Sequence, residues 1–343
     1  MKKKFWIFLI LSSILAVGFA SYRVYHVIAI WRYQGPAIQF VVKPGEGFSK
    51  INGRLARQGL IQSSKIFYRY CKSKSYMTKF KAGKYQIESG TSMLDIIDLL
   101  IKGHSITASV TIPEGKNLYE IAKILEAKKI IKSRIDFINL AKNPEFTASL
   151  KIPAKRIEGY LYPDTYRFTP NSNPKQIIKL MVRNFFLKIT KVDISATSLD
   201  LHSVVTLASV VEKETGAKFE RPIISGVFHN RLKKRMRLQS DPTTIYGIWE
   251  TYNGNLRKRH LQEKTPYNTY RINGLPRGPI ANPGLQSLEA VIFPQKHQFL
   301  YFVSQNDGTH KFSKTYKEHL EAVTKWQKNR ANRKGKSWRN LKQ

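Results

Sequence analysis

The stretch Leu201–Glu214, LHSVVTLASVVEKE, decides how this chain folds, because apolar residues point in nearly every direction around it. A helix that is apolar almost all round has no face to give to water, so it lies buried inside a domain. The stretch therefore predicts a central helix that ends in an acidic pair. Its apolar members are Leu201, Val204, Val205, Leu207, Ala208, Val210 and Val211.

The acidic pair is Glu212 and Glu214, which lie about 200° apart around a helix and cannot both face one cleft. Burial against the apolar residues would raise a carboxyl pKa, and the negative end of the helix dipole acts in the same direction. A carboxylic acid that is protonated near neutral pH is what acid-catalysed glycoside cleavage needs. Alternatively, both glutamates only end the helix, solvated or paired with Lys213 or Arg221. Position alone favours that alternative and does not choose between the two carboxyls.

Further elements are predicted on either side of this helix. Pro174–Ile189 and Thr315–Trp326 have helical patterns, and Gln298–Ser304 is β-prone. The stretch Glu263–Gly284 is crowded with Pro, Gly, Asn and Thr. So long a segment without regular structure in a compact domain is more often a functional loop than a spacer.

The N-terminal half predicts a small α+β module over residues 38–104, before a larger α+β domain over residues 105–325. Strand-like stretches at residues 39–42 and 80–87 alternate with helical patterns, the last of which runs from Thr91 or Ser92 to Ile101 and stops at Gly103. A related strand and helix pattern at residues 109–125 opens the larger domain.

Residues 1–24 predict a cytoplasmic stub and a transmembrane anchor. Three lysines precede Phe5–Tyr22, which carries no charge and is about 27 Å long as a helix. This order favours a cytoplasmic N-terminus with the rest of the chain outside. A cleaved signal peptide is the alternative, because small residues surround Phe19. Residues 22–36 are expected to form a connector to the first module.

The net charge of +36 is compatible with nucleic acid, anionic lipid or an anionic cell-wall polymer. The positive residues are spread along the chain, apart from a basic tail over residues 326–343. Export of the folded part argues against nucleic acid. The single cysteine, Cys71, excludes an internal disulfide and a cysteine-based zinc site. No nucleotide-binding or metal motif is present, so neither a cofactor nor a metal is predicted.

Two segments, residues 236–247 and 267–280, combine turn residues with amides, hydroxyls and aromatic rings, a mixture that suits sugars. Each segment alone could be an ordinary surface loop. Together with residues 158–166 they supply candidate substrate-binding residues: Glu158, Gln239, Ser240, Asp241, Thr243, Tyr246, Asn268 and Tyr270.

Four segments closely resemble motifs of the YceG-like family, in the family's order: Glu158–Tyr166, Leu207–Thr215, Leu238–Gly247 and Tyr267–Pro283. The resemblance runs from the N-terminal anchor to about Val323. It implies that residues 38–104 form a LysM-like module and that the larger domain is a YceG-like catalytic domain. It also places the catalytic acid on the second glutamate of Glu-Lys-Glu, which is Glu214. Nothing carries over for the basic tail.

The resemblance implies an endolytic lytic transglycosylase, a lyase that cuts nascent peptidoglycan between N-acetylmuramic acid and N-acetylglucosamine. Such an enzyme leaves 1,6-anhydro ends, because one carboxyl acts first as acid and then as base. Its cleavage is also expected to terminate strand elongation. The expected setting is a single-pass protein of the inner membrane with its catalytic domain outside the cytoplasm. Peptidoglycan synthases are implied partners. The alternative is a non-catalytic peptidoglycan-binding scaffold of the envelope.

Overall fold

The computed structural model describes residues 2–103 and 108–329 and has a mixed α and β architecture. The chain divides into two compact units, Met1–Ala108 and Ser109–Gln343. Most of the predicted basic tail, residues 330–343, lies outside the described residues.

The first unit begins with helix α1 (Lys2–Tyr25), which continues as a π-helical turn over His26–Ile30. Within the described residues, one helical stretch is long and apolar enough to cross a membrane, the 20 residues Leu11–Ile30. A signal sequence near an N-terminus has the same properties. The stretch ends later than the predicted Phe5–Tyr22, and Val27 is buried in the core of the first unit. The expected connector is therefore helical as far as Ile30.

The remainder of the first unit is a two-stranded antiparallel sheet with three helices. Phe40 pairs with Tyr85 across the sheet, and both side chains are fully buried. The predicted helix after the second strand is confirmed: Ser92 and Asp95 form a capping box at its start, and Gly103 ends it with φ +75°. The elements are β1 (Ile38–Val42), α2 (Phe48–Arg57), α3 (Ser64–Ser73), β2 (Gly83–Ile87) and α4 (Met93–Lys102).

The second unit opens with a similar order of a strand, two helices and a partner strand, with one further short helix. The strand that begins this segment pairs with the strand that ends it, which agrees with the related pattern in the sequence. The elements are β3 (Ala108–Thr111), α5 (Leu118–Ala127), α6 (Arg134–Lys142), α7 (Pro144–Ser149) and β4 (Thr165–Phe168).

The rest of the second unit is mainly helical and ends in a hairpin and a helix. Its elements are α8 (Pro174–Ile189), α9 (Leu201–Glu214), α10 (Arg221–Lys233), α11 (Asp241–Gly247), α12 (Lys258–Gln262), α13 (Leu285–Ile292), β5 (Tyr301–Ser304), β6 (His310–Ser313) and α14 (Tyr316–Val323). The strand β5 is shorter than the predicted Gln298–Ser304. A π-helical turn, Thr324–Lys328, extends α14 beyond the predicted end.

The central helix is α9, with the bounds that its apolar pattern predicts. Asp200 caps it by accepting a hydrogen bond from the Ser203 N–H at 2.7 Å, and all residues from Val204 to Val211 are buried. It packs against α10, α11 and α13. Residues 263–284 contain no helix or strand, as predicted. Residues 236–247 were interpreted as rich in turns, but Asp241–Gly247 forms the helix α11. Pro242 is compatible with this helix because it lies in the first turn, where a proline needs no N–H partner.

Candidate active site

Glu214 is the last residue of α9, and its carboxyl lies where the buried interior meets solvent. The residue is partly exposed, and burial desolvates its carboxyl. Loss of hydration raises the pKa of Glu214 from 4.5 to about 7, and the like charge of Asp241 acts in the same direction. A carboxyl with this pKa holds a proton for part of the time at neutral pH. It can therefore donate a proton and afterwards accept one.

Ser240 holds this carboxyl in position, since its hydroxyl donates a hydrogen bond to Oε1 of Glu214. The backbone of Ser240 is itself fixed: its N–H donates to Oγ1 of Thr269 at 2.9 Å, and its carbonyl accepts from Oγ1 of Thr243 at 2.6 Å. The two threonine hydroxyls are 2.8 Å apart. All three side chains are buried, so Ser240 presents its hydroxyl from a rigid network.

Gln239 forms the turn that leads into Ser240. Its φ of +49° lies in the left-handed region that few residues other than glycine adopt. Its N–H donates to the carbonyl of Thr269 at 3.2 Å, which holds the turn. Gln239 is exposed and is the residue next to Ser240 in the chain.

Asp241 and Tyr270 form a pair at the exposed edge of the site. The Tyr270 hydroxyl donates to Oδ1 of Asp241 at 2.8 Å. Burial raises the pKa of Tyr270, so the phenol stays neutral. The pair offers one carboxylate and one hydroxyl close to Glu214 for hydrogen bonding to a ligand.

Two basic side chains that the sequence analysis missed, Arg231 and His310, act on Glu214. Arg231 is buried and donates to the carbonyls of Leu300 and Leu238, at 2.7 Å and 2.6 Å. His310 lies 2.7 Å from a carboxylate oxygen of Glu220. The positive charges of Arg231 and of protonated His310 favour the ionised form of Glu214 and lower its pKa. Arg231 lies in a basic run that is typical of a solvated surface, so the composition did not indicate a buried residue near Glu214.

Glu212 faces away from this site and belongs to a buried ion pair. Its Oε1 lies 2.7 Å from Nη2 of Arg221, and its Oε2 accepts from the Gly284 N–H at 3.0 Å. Both side chains are 5% exposed. The two glutamates thus have different surroundings, as their angular separation on the helix predicts.

Glu158 is buried and joins three separate parts of the second unit. It accepts hydrogen bonds from the Leu118 N–H at 3.0 Å, the Tyr246 hydroxyl at 2.8 Å and the Asn282 amide at 2.8 Å. Burial raises the pKa of Glu158 to about 7, against the effect of these bonds. Only 2% of Glu158 is exposed, so in this structure its carboxyl serves contacts within the protein.

Asn268 has a similar internal position in the long loop. Its amide N–H groups donate to the carbonyls of three residues, and its Oδ1 accepts from Thr244 at 3.0 Å. Asn268 and Thr243 have no exposed surface, and Tyr246 is almost fully buried. These residues also have their polar groups satisfied within the protein. Of the candidate substrate-binding residues, the structure leaves Gln239, Asp241 and Tyr270 accessible beside Ser240 and Glu214.

No group of three or more potential His, Cys, Asp or Glu ligands lies together in residues 2–103 and 108–329. The chemistry available at this site is that of a carboxyl with nearby hydroxyl, amide and cationic groups.

Comparison with known proteins places these residues in a known family. The model of the YceG-like family matches residues 40–325. The chain belongs to the YceG-like family. The YceG-like match includes Glu214, its partner Ser240, and both basic residues near them, Arg231 and His310.

This YceG-like chain is similar to proteins named endolytic murein transglycosylase. One from Bacillus subtilis (strain 168) is 35% identical over 305 residues, covering 83% of each chain. One from Streptococcus pneumoniae (strain R6) is 31% identical over 296 residues, covering 77% of this chain and 53% of that protein. The chain therefore spans about half of the streptococcal relative.

A YceG-like protein from Listeria monocytogenes has a similar solved structure. The TM-score is 0.58 at 33% identity, and the match covers 83% of this chain and 98% of the other.

Proposed function

We propose that this protein is an endolytic murein transglycosylase, a lytic enzyme that cuts peptidoglycan glycan strands internally. The observation that carries the proposal is Glu214, a partly exposed residue whose carboxyl has a pKa of about 7 and is held by Ser240. The names of the relatives in Bacillus and Streptococcus support the substrate and the reaction class.

The reaction begins when protonated Glu214 donates its proton to the glycosidic oxygen between N-acetylmuramic acid and N-acetylglucosamine. The bond from that oxygen to the muramic C1 breaks, and positive charge develops at C1. The ionised Glu214 then takes the proton of the muramic C6 hydroxyl, whose oxygen closes onto C1. The product has a 1,6-anhydro end, no water is consumed, and Glu214 regains its proton.

The surroundings of Glu214 suit both steps. Burial and Asp241 favour the protonated form that the first step needs. Ser240, Arg231 and protonated His310 favour the carboxylate that exists between the steps. Gln239, Asp241 and Tyr270 are the accessible polar groups proposed to contact the sugars.

The test is product analysis on uncross-linked glycan strands by mass spectrometry. Glu214→Gln should lose the formation of anhydromuramoyl ends while keeping the fold. Glu145→Gln is the matched control, because Glu145 is an exposed glutamate of the same unit. Full activity of the Glu214→Gln protein would disprove the assignment. Loss of activity in both variants would show that Glu214 has no special role.

The first unit is proposed to be a membrane anchor followed by a LysM-like wall-binding module, residues 38–104. The long apolar helix and the antiparallel strand pair that flanks two helices support this division. The catalytic domain, residues 105–325, would then lie outside the cytoplasmic membrane, where peptidoglycan synthases are proposed partners. A reporter fused after Gln343 should be active only outside the cytoplasm, and cytoplasmic activity would contradict this topology.

A further inference from the structure

A pair of stacked aromatic rings lies beyond the end of α11 that is remote from Glu214. Trp249 follows the helix and stacks on Tyr119 of α5, with ring centroids 6.0 Å apart and planes inclined by 19°. Both side chains are partly exposed. The helix has 7 residues and is about 10 Å long. Ser240 is the N-cap at the start of this helix, and Trp249 comes just after its other end.

One buried carboxylate fixes both elements that carry these rings. Glu158 accepts from the N–H of Leu118, the residue before Tyr119, and from the hydroxyl of Tyr246 in α11. The Tyr246 ring lies against Tyr119, with centroids 6.4 Å apart. Because the partners of Glu158 are internal, the aromatic pair is held in place before any ligand arrives. Such a surface loses little conformational entropy on binding.

Polar groups border the same rings. Nζ of Lys142 lies 4.8 Å from the centroid of Tyr119 and 3.1 Å from Oε1 of Glu250. The Tyr119 hydroxyl also donates to this oxygen, at 3.4 Å. The Glu250 side chain is 72% exposed. The exposed parts of these rings, beside accessible donors and acceptors, match a sugar, which has an apolar face of C–H groups and an edge of hydroxyl and acetamido groups.

We propose that Tyr119 and Trp249, with Lys142 and Glu250 at their edge, form a glycan-binding subsite for N-acetylhexosamine units remote from the bond that is cut. This inference rests on the proposed function, which supplies the strand. An enzyme that cuts inside a strand has substrate on both sides of the reacting bond. Binding energy from remote units can orient that bond at Glu214. The subsite therefore favours long strands over short fragments.

The test compares Trp249→Ala with the unchanged full-length protein on long uncross-linked strands and on single-disaccharide fragments. Binding is measured in Glu214→Gln protein, where strands stay intact, and kinetics are measured with Glu214 present. Because truncating a central aromatic contact commonly costs at least tenfold in affinity, we expect about tenfold weaker binding of long strands. KM for long strands should rise similarly, while binding of the short fragments stays unchanged. Trp249→Phe should restore most of the affinity.

Phe219→Ala is the matched control, since Phe219 is a 70% exposed aromatic residue elsewhere on the same unit. Thermal unfolding of each variant checks the fold. If Trp249→Ala does not fold, Trp249→Leu, which removes the ring but keeps apolar bulk, and Lys142→Met take its place, and both must weaken binding of long strands for the proposal to stand. Unchanged affinity for long strands, or an equal loss in Phe219→Ala, would overturn the subsite while leaving the transglycosylase assignment intact. Activity that survives Glu214→Gln would instead remove the proposed function.

Discussion

Replacing Ser240 with alanine tests how Glu214 is kept ready for two opposite proton transfers. The substitution removes the hydroxyl that donates to Oε1 of Glu214 and that lowers its pKa. A hydrogen bond to a charged group contributes about 1.5–3 kcal/mol, and one pKa unit corresponds to about 1.36 kcal/mol. We therefore expect the pKa of Glu214 to rise by about 1–2 units above its value of about 7.

The sign of the effect on the rate follows from the first step. Only protonated Glu214 can donate to the glycosidic oxygen, so the rate falls as pH rises through the pKa of Glu214. In Ser240→Ala this alkaline limb should move to higher pH by about 1–2 units. The maximal kcat should fall at the same time, because the carboxylate formed after proton donation has lost its hydrogen bond.

The assay is the rate of anhydromuramoyl end formation on uncross-linked strands as a function of pH. Ser195→Ala is the control, since Ser195 is exposed and its hydroxyl donates to Asp193. Its pH profile should match that of the unchanged protein. An alkaline limb that stays in place in folded Ser240→Ala, or that moves to lower pH, would refute this account of Glu214.

Further predictions concern the charges around the same helix. The pKa of Glu214 rises from 4.5 to about 7 on folding, so the folded state binds the extra proton between these values. The free energy of unfolding should fall across this window by about 3 kcal/mol as pH rises, and denaturant titrations should show a smaller fall in Glu214→Gln. Arg221→Met leaves buried Glu212 without its cation and should cost about 3–5 kcal/mol of stability. Adding Glu212→Gln to Arg221→Met should raise the thermal unfolding temperature part of the way back to that of the unchanged protein. An unchanged unfolding temperature would contradict the ion pair. Arg231→Gln removes a charge that lowers the pKa of Glu214, so the alkaline limb of this variant's pH–rate profile should move to higher pH. An unmoved limb would show that Arg231 only supports the fold.

The sequence predicted α9 with its full length because a buried helix can be recognised from its apolar residues. A helix surrounded by protein must be apolar on every side, and Leu201–Glu214 has that property. The sequence pattern of a short amphipathic element predicts its structure less clearly. The helix α11 was missed, since its seven residues include Pro242, Thr243 and Gly247, which are also common in turns.

The roles of the two glutamates could be separated by angle but not assigned from spacing. The assignment depends on residues outside the helix: the Gly284 N–H and Arg221 bind the carboxylate of Glu212, and the Ser240 hydroxyl binds the carboxyl of Glu214. Likewise, Asn268 looks like a sugar-binding amide in the sequence, because nothing local reveals that its hydrogen bonds are used inside the loop. Tertiary contacts decide which polar groups remain free for a ligand.

The pKa of Glu214 results from opposing influences, and this balance is what a single acid and base requires. Burial alone would hold the proton too firmly for the carboxylate to form between the two steps. The Ser240 hydroxyl and the charges of Arg231 and protonated His310 alone would remove the proton before the first step. Because the two groups of influences act on one carboxyl, the pKa of about 7 lies near neutral pH, where the residue can both give and take a proton. Each of these neighbours is therefore expected to shift the pH profile in the direction of its own charge or hydrogen bond, even though Glu214 alone exchanges protons with the substrate.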